Sequence, residues 1–151
     1  MSASQVQAID SIDSVEVLKL IQDDNYTAKH CWRVAYYAEL IAKELGLNEV
    51  DVHLVREAAL IHDVGKIGVE REILLKPDSL DEDEMNSIKR HPLVSASIAT
   101  HLSNNPSIIQ VIAQHHEQPD GQGYPNGLKG RQIDLKAAIL RVADAFDAMT
   151  T

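Results

Sequence analysis

The sequence predicts an all-α fold, and three observations predict it. Apolar residues recur at three- and four-residue steps through most of the 151 residues. No stretch alternates apolar and polar residues as a half-buried strand would. One Phe and one Trp leave the interior to Leu, Ile, Val and Ala, which suit helix packing. With 44% apolar and 25% charged residues, a chain of this length fits one domain around one core.

The elements follow in order. Residues 1–12 read as a polar tail. Ile12, Val15, Val17, Leu18 and Ile21 predict a short first helix. A longer one runs from Thr27 to Leu45, with Val34, Ala38, Ile41, Ala42 and Leu45 as its apolar stripe and Gly46 as its C-terminal cap. Asn48 with Asp51 resembles a capping box with Asp in the Glu/Gln position. It opens a helix carrying Val52, Val55, Ala59 and Leu60 that ends at His62–Asp63. Residues 69–80 read as a connector, broken by Pro77. Ser79 or Asp81 starts the next helix, through Met85 and Ile88 to His91, and Pro92 marks a break before Leu93 to Leu102. Asn105–Pro106 is a cap followed by proline at the first helical position, opening a helix that leads to His115 and His116. The Gly- and Pro-rich residues 117–131 form a loop. Asp134 caps a final helix carrying Ile139, Val142, Ala143 and Phe146.

Composition narrows the function. A formal net charge of -9 argues against broad DNA or RNA binding, which depends on clustered Lys and Arg. A small phosphate substrate stays compatible if bound cations reverse the local field. The lone Cys31 excludes an internal disulfide and fits a reducing, cytoplasmic setting. No apolar run is long enough to span a membrane, and the first residues lack a signal-peptide pattern.

Seven histidines are many for this length. The doublets His62–Asp63 and His115–His116 each sit at a predicted helix end, before a glycine-containing turn. Imidazole and carboxylate suit iron, manganese or zinc, and one Asp can bridge two cations. Taken singly, each His is as readily a core or surface polar residue, and His53 and His101 are read that way. Lys66, on a turn three residues after Asp63, can meet a phosphate as a point charge. Asp144 and Asp147 lie on an apolar helix and need partners, either a metal or a salt bridge to Arg141 or Lys136.

Taken together, HCWRV (30–34), ALIHDVGKIGV (59–69), ILLKPDSL (73–80), IKRHP (88–92), HHEQPDGQGYPNGLKG (115–130) and ILRVADAFDAMT (139–150) resemble the HD superfamily of metal phosphohydrolases. The closer resemblance is to its HD-GYP branch. It implies an HD-domain bundle of about six to seven helices around a dinuclear metal site. It implies that His30, His62, Asp63 and Asp144 form the site shared across the superfamily. His91, His115 and His116 would hold the second metal, with Asp63 bridging. Iron and manganese are the expected metals, ahead of zinc, nickel or magnesium. Asp63 and Lys66 carry the catalytic roles, Lys66 at the scissile phosphate. Asp120 would orient a histidine ligand. Gly123, Tyr124 and Pro125 would shape a loop over the site and offer a surface to diguanylate cyclase (GGDEF) partners.

The implied reaction is hydrolysis of cyclic di-GMP to linear pGpG, and in some members onward to GMP, through a water made acidic by two metals. Some relatives have a Glu four residues before the first ligand histidine, for a third metal. Tyr26 stands there, so two metals are expected. In the family the segment after DAMT continues into an Arg-Pro-Tyr-Arg/Lys motif that binds substrate phosphates, and this sequence stops at Thr151. The alternatives are a degenerate module that binds nucleotide or protein without cleavage, and an HD hydrolase of another nucleotide.

Overall fold

A computed structural model describes residues 25–151. The expected tail and the short helix at residues 12–21 lie outside the described residues. The described elements are α1 (Asn25–Glu44), α2 (Glu49–Ile61), a 3-10 turn (Val64–Gly68), α3 (Arg71–Leu74), α4 (Glu82–Lys89), α5 (His91–Leu102), α6 (Pro106–Gln114), a second 3-10 turn (Gly130–Gln132) and α7 (Leu135–Thr150). The fold is all-α. Among the described residues the nearest thing to a strand is an isolated bridge, Asp120 to Lys129.

Local chemistry sets the ends. Gly46, at φ 78°, lets the chain turn left-handed after α1. The Asn48 side chain accepts the Asp51 N–H at 2.9 Å and so caps α2. The second half of the expected capping box differs. The Asp51 carboxylate takes the Asn48 side-chain amide at 3.0 Å, because Asp is one methylene shorter than Glu and falls short of the cap's backbone. The full reciprocal box is at Asp81 and Glu84, which open α4. Asn105 and Asp134 cap α6 and α7 as expected. The helix expected to run into His91 instead stops at Lys89. His91 begins α5, with Pro92 inside its first turn where a missing N–H costs nothing. The connector at residues 69–80 contains the single turn α3.

Helix α2 packs on α1, α6 and α7, α7 also packs on α1 and α6, α5 lies on α6 and on the first 3-10 turn, and α4 touches α5. The core is aliphatic: Val34 and Ala38 from α1, Val55, Leu60 and Ile61 from α2, Val111 and Ile112 from α6, Leu140 and Ala143 from α7. Each buried Val, Leu or Ile contributes about 1.5–3 kcal/mol, and the alanines let helix backbones approach. The single Trp and Phe, Trp32 and Phe146, are exposed, consistent with a core that has no need of large rings. No helix of the described chain is long and apolar enough to cross a membrane.

Candidate metal centre

Three histidines are aimed by one device. His62 follows the last residue of α2, His91 follows α4 by two residues, and His115 follows α6. Each ring turns back on a carbonyl three residues earlier. His62 Nδ1 is 2.6 Å from the Ala59 oxygen, His91 Nδ1 2.7 Å from Ile88 and His115 Nδ1 2.6 Å from Ile112. The last carbonyls of a helix lie outside its regular hydrogen-bond ladder and have room to accept the ring N–H. A carbonyl can only accept, which places a proton on Nδ1 and leaves Nε2 as the nitrogen able to ligate a cation. His30, in the second turn of α1, is anchored differently. Its Nδ1 is 2.6 Å from Asp147 Oδ2, and Arg33 grips the same carboxylate at 2.6 and 3.0 Å.

The Nε2 atoms converge on two aspartates. His30 Nε2 is 2.9 Å from Asp144 Oδ1 and 3.5 Å from Asp63 Oδ2. His62 Nε2 is 3.4 Å from Asp63 Oδ2 and 3.6 Å from Asp144 Oδ1. His91 Nε2 is 3.2 Å from Asp63 Oδ1 and 3.3 Å from His115 Nε2. Donor atoms of His30, His62 and Asp144 all lie within 4.8 Å of one another, and so do those of His91, His115 and His116, and those of His62, Asp63 and His115. Asp63 thus turns one oxygen to each half of the cluster.

The donors fit cations. His62 Nε2 and Asp63 Oδ1 are buried without a hydrogen bond, a costly condition that a bound ion relieves. His91 and His115 face each other through two lone pairs, which is repulsive unless a positive charge lies between them. Imidazole and carboxylate together suit iron, manganese or zinc.

Charge divides the cluster. Burial lowers the pKa of His30, but hydrogen bonds to Asp144, Asp63 and Asp147 outweigh it and raise it to about 10. Burial likewise opposes His62, yet Asp63 and Asp144 hold it well above the usual imidazole value. On the other side, burial and the neighbouring His116 push His115 well down, and burial and His91 bring His116 down to about 4. Burial opposes ionisation of Asp63 and Asp144, but the surrounding histidines, with Lys66 beside Asp63, keep both well below the usual carboxylate range. At pH 7 a cation entering beside His30 and His62 must therefore displace about two protons, while His115 and His116 are already neutral. Calorimetry in buffers of different ionisation enthalpy should show proton release for the His30 side. Affinity there should rise as pH approaches 10, because the competing proton is held below that pKa. Uptake on the side of His115 and His116 should release fewer protons at pH 7, because those two rings are already neutral there.

Lys66 stands at the edge of the cluster, its ammonium 2.8 Å from Asp63 Oδ2 and its side chain 32% exposed. Tyr124 stacks on His116 at 4.9 Å with 17° between planes, so the Gly123–Pro125 segment lies over the cluster. Gly123 permits this: a Cβ there would meet the Gln118 nitrogen at 2.3 Å and the His116 oxygen at 2.5 Å.

Asp120 departs from expectation. It is exposed, and its carboxylate accepts the Gln122 N–H at 2.9 Å, closing a local turn rather than holding a histidine. The carboxylate that acts on this loop is Glu117, buried and accepting from Asn126 N–H at 2.6 Å and Leu128 N–H at 2.9 Å. Asp147 also takes an unexpected partner. Arg33 and His30 bind it, whereas Lys136 pairs with Asp51 and Asp134. The sequence does hold a signal: His30 and Arg33 on α1 share the three-residue spacing of Asp144 and Asp147 on α7.

Comparison with known proteins agrees with this geometry. The family model described as HD domain matches residues 27–149. The cyclic di-GMP phosphodiesterase response regulator RpfG of Xanthomonas campestris pv. campestris is 45% identical over 130 residues, covering 83% of this chain and 34% of that protein. The 3'3'-cGAMP-specific phosphodiesterase 3 of Vibrio cholerae is 42% identical over 125 residues, covering 83% of this chain and 27% of that protein. The chain therefore spans about a third or less of these relatives' lengths. Among solved structures, the HDG"Y"P protein Bd1817 of Bdellovibrio bacteriovorus superposes with a TM-score of 0.72 at 24% identity. The match covers 89% of this chain and 45% of that one, and shows the shared fold.

Proposed function

The chain belongs to the HD domain family, and from that premise we propose that it is a metal-dependent cyclic dinucleotide phosphodiesterase of the HD-GYP kind. Its first substrate in this reading is cyclic di-GMP, opened to pGpG and in some settings cut on to GMP. The observation that carries the reading is the convergence of His30, His62, Asp63, His91, His115, His116 and Asp144, from five separate segments, into one buried cluster. The relatives named for cyclic di-GMP and for 3'3'-cGAMP support the substrate class.

In this proposal His30, His62 and Asp144 would hold one divalent cation, and His91, His115 and His116 would hold the other. Asp63, with one oxygen turned toward each group, would contribute to both. Iron and manganese are the metals proposed first. When bound, such a pair supplies Lewis acidity and a water acidic enough to be deprotonated at neutral pH. The protein's own contribution is placement. The Nδ1 anchors fix each ring's tautomer and orientation before substrate arrives. Burial excludes bulk water from Asp63 and the inner histidines, which strengthens every charge interaction there. Lys66 meets a non-bridging phosphate oxygen as a point charge, for which its partly exposed ammonium beside Asp63 is suited. Tyr26, exposed one turn before His30, offers no third-metal carboxylate. Docking of a diguanylate cyclase on the loop would fall to exposed residues such as Gln122 and Asn126, since Tyr124 is turned inward on His116.

Manganese- or iron-loaded protein incubated with cyclic di-GMP, and with 3'3'-cGAMP in parallel, should yield the linear dinucleotide by chromatography. Intact substrate in the presence of fully metallated protein would defeat the enzymatic reading and favour a binding module.

A further inference from the structure

A cyclic dinucleotide carries two phosphodiesters, and only one can lie at the reacting centre. The other is an anion that must be met at the rim of a chain whose formal net charge is -9. Lys66, at the edge of the centre with its ammonium 2.8 Å from Asp63, is given to the reacting phosphate in the reading above. Lys89 is placed differently. It is the exposed last residue of α4, two residues before His91, and its ammonium lies over the Tyr124 ring, 5.6 Å from the centroid. Tyr124 in turn stacks on His116, so Lys89 is one ring removed from the His91, His115 and His116 half of the cluster.

Resting on the reading of the site given above, we propose that Lys89 binds the second, unreacting phosphate of the cyclic dinucleotide and so sets the enzyme's preference for two-phosphate substrates. Three features support this. Lys89 makes no salt bridge among the described residues, in contrast to Lys43, Lys76 and Lys136, each held by a carboxylate. Its contact with the Tyr124 ring is weak enough to yield to a charge-assisted bond with a phosphate oxygen. The ring nonetheless gives the exposed side chain one contact beside the cluster, which reduces the ordering lost on binding. Arg90 is its natural comparator: the next residue, the same charge, also exposed.

The test is a comparison of substrates on the metal-loaded protein. Lys89→Met keeps the stem and removes the charge. It should lower the ratio of kcat/KM for cyclic di-GMP to kcat/KM for bis(4-nitrophenyl) phosphate, which has one phosphate, by about tenfold, the change falling on KM. The calorimetric Kd of a non-hydrolysable phosphorothioate analogue of cyclic di-GMP should rise by a similar factor. Lys89→Arg should restore most of the ratio, and Arg90→Met should leave it in place. An unchanged ratio in Lys89→Met, or an equal fall in Arg90→Met, which would mark a general field effect, overturns the assignment of Lys89 alone. Wild-type protein that cleaves the simple diester but leaves cyclic dinucleotides intact removes the underlying reading and this assignment with it.

Discussion

Under the proposed function, replacing Asp63 with alanine should cost the protein stable binding of both cations and at least about three orders of magnitude in cyclic dinucleotide hydrolysis. The reason is positional. Asp63 is the residue whose two oxygens face the two histidine groups separately, Oδ2 toward His30 and His62 and Oδ1 toward His91. Its loss removes a ligand from each group at once and leaves the two sets of imidazoles with no carboxylate between them. Lys66 would also lose the carboxylate that holds its ammonium at 2.8 Å. Elemental analysis beside kcat/KM separates the outcomes, with circular dichroism to confirm that the helices persist. A folded Asp63→Ala variant that retains two tightly bound ions and its activity would show that Asp63 does not bridge.

The second large effect is on packing. Gly65→Ala should destabilise the fold by about 3 kcal/mol, a drop of about 10 °C in Tm, and should weaken cation binding at the His91 side. A Cβ at Gly65 would sit 2.3 Å from the His91 carbonyl oxygen and 2.5 Å from the Ser95 nitrogen. Both are backbone atoms in the first turns of α5 and cannot step aside as a side-chain tip could. Gly65 N–H also donates to Ser95 Oγ at 2.7 Å, so the 3-10 turn and α5 are held face to face. That contact places His91 beside Asp63, and forcing α5 outward separates them. Gly68, three residues on in the same turn, would meet no atom within 4 Å of an added methyl, and Gly68→Ala should be close to neutral. Thermal melts of the two variants side by side provide the check. Equal stability of Gly65→Ala and wild type would mean that α5 does not press on the turn.

Much of this arrangement is legible in the chain itself. Helical periodicity locates α1, α2, α6 and α7, and the caps Asn48, Asn105 and Asp134 are local events that sequence records well. The doublets His62–Asp63 and His115–His116 are expected at helix ends, and the structure supplies the reason: a ring just past a helix terminus can donate from Nδ1 to a terminal carbonyl and keeps Nε2 for a cation. Contacts between distant residues are harder to read. Asp147 meets Arg33 and His30 across 114 and 117 positions, and the matched three-residue spacing of the two pairs is a weak signal beside the nearer Arg141 and Lys136. Glu117 and Asp120 are two carboxylates in one loop. Which of them turns inward depends on how the loop folds back over His116, a three-dimensional fact. Residue type also misleads at Asp51, where one missing methylene turns a reciprocal box into a side-chain contact.

The proposed centre is a pair of cations held by seven side chains. Anomalous diffraction from crystals of the manganese- or iron-loaded protein, collected across the metal's absorption edge, tests this most directly. Two peaks are expected. One should lie at about 2.0–2.3 Å from His30 Nε2, His62 Nε2 and an Asp144 oxygen, the other at the same range from His91, His115 and His116, with Asp63 touching both. A single peak, or none among these residues in protein shown to be metallated, would contradict the dinuclear centre.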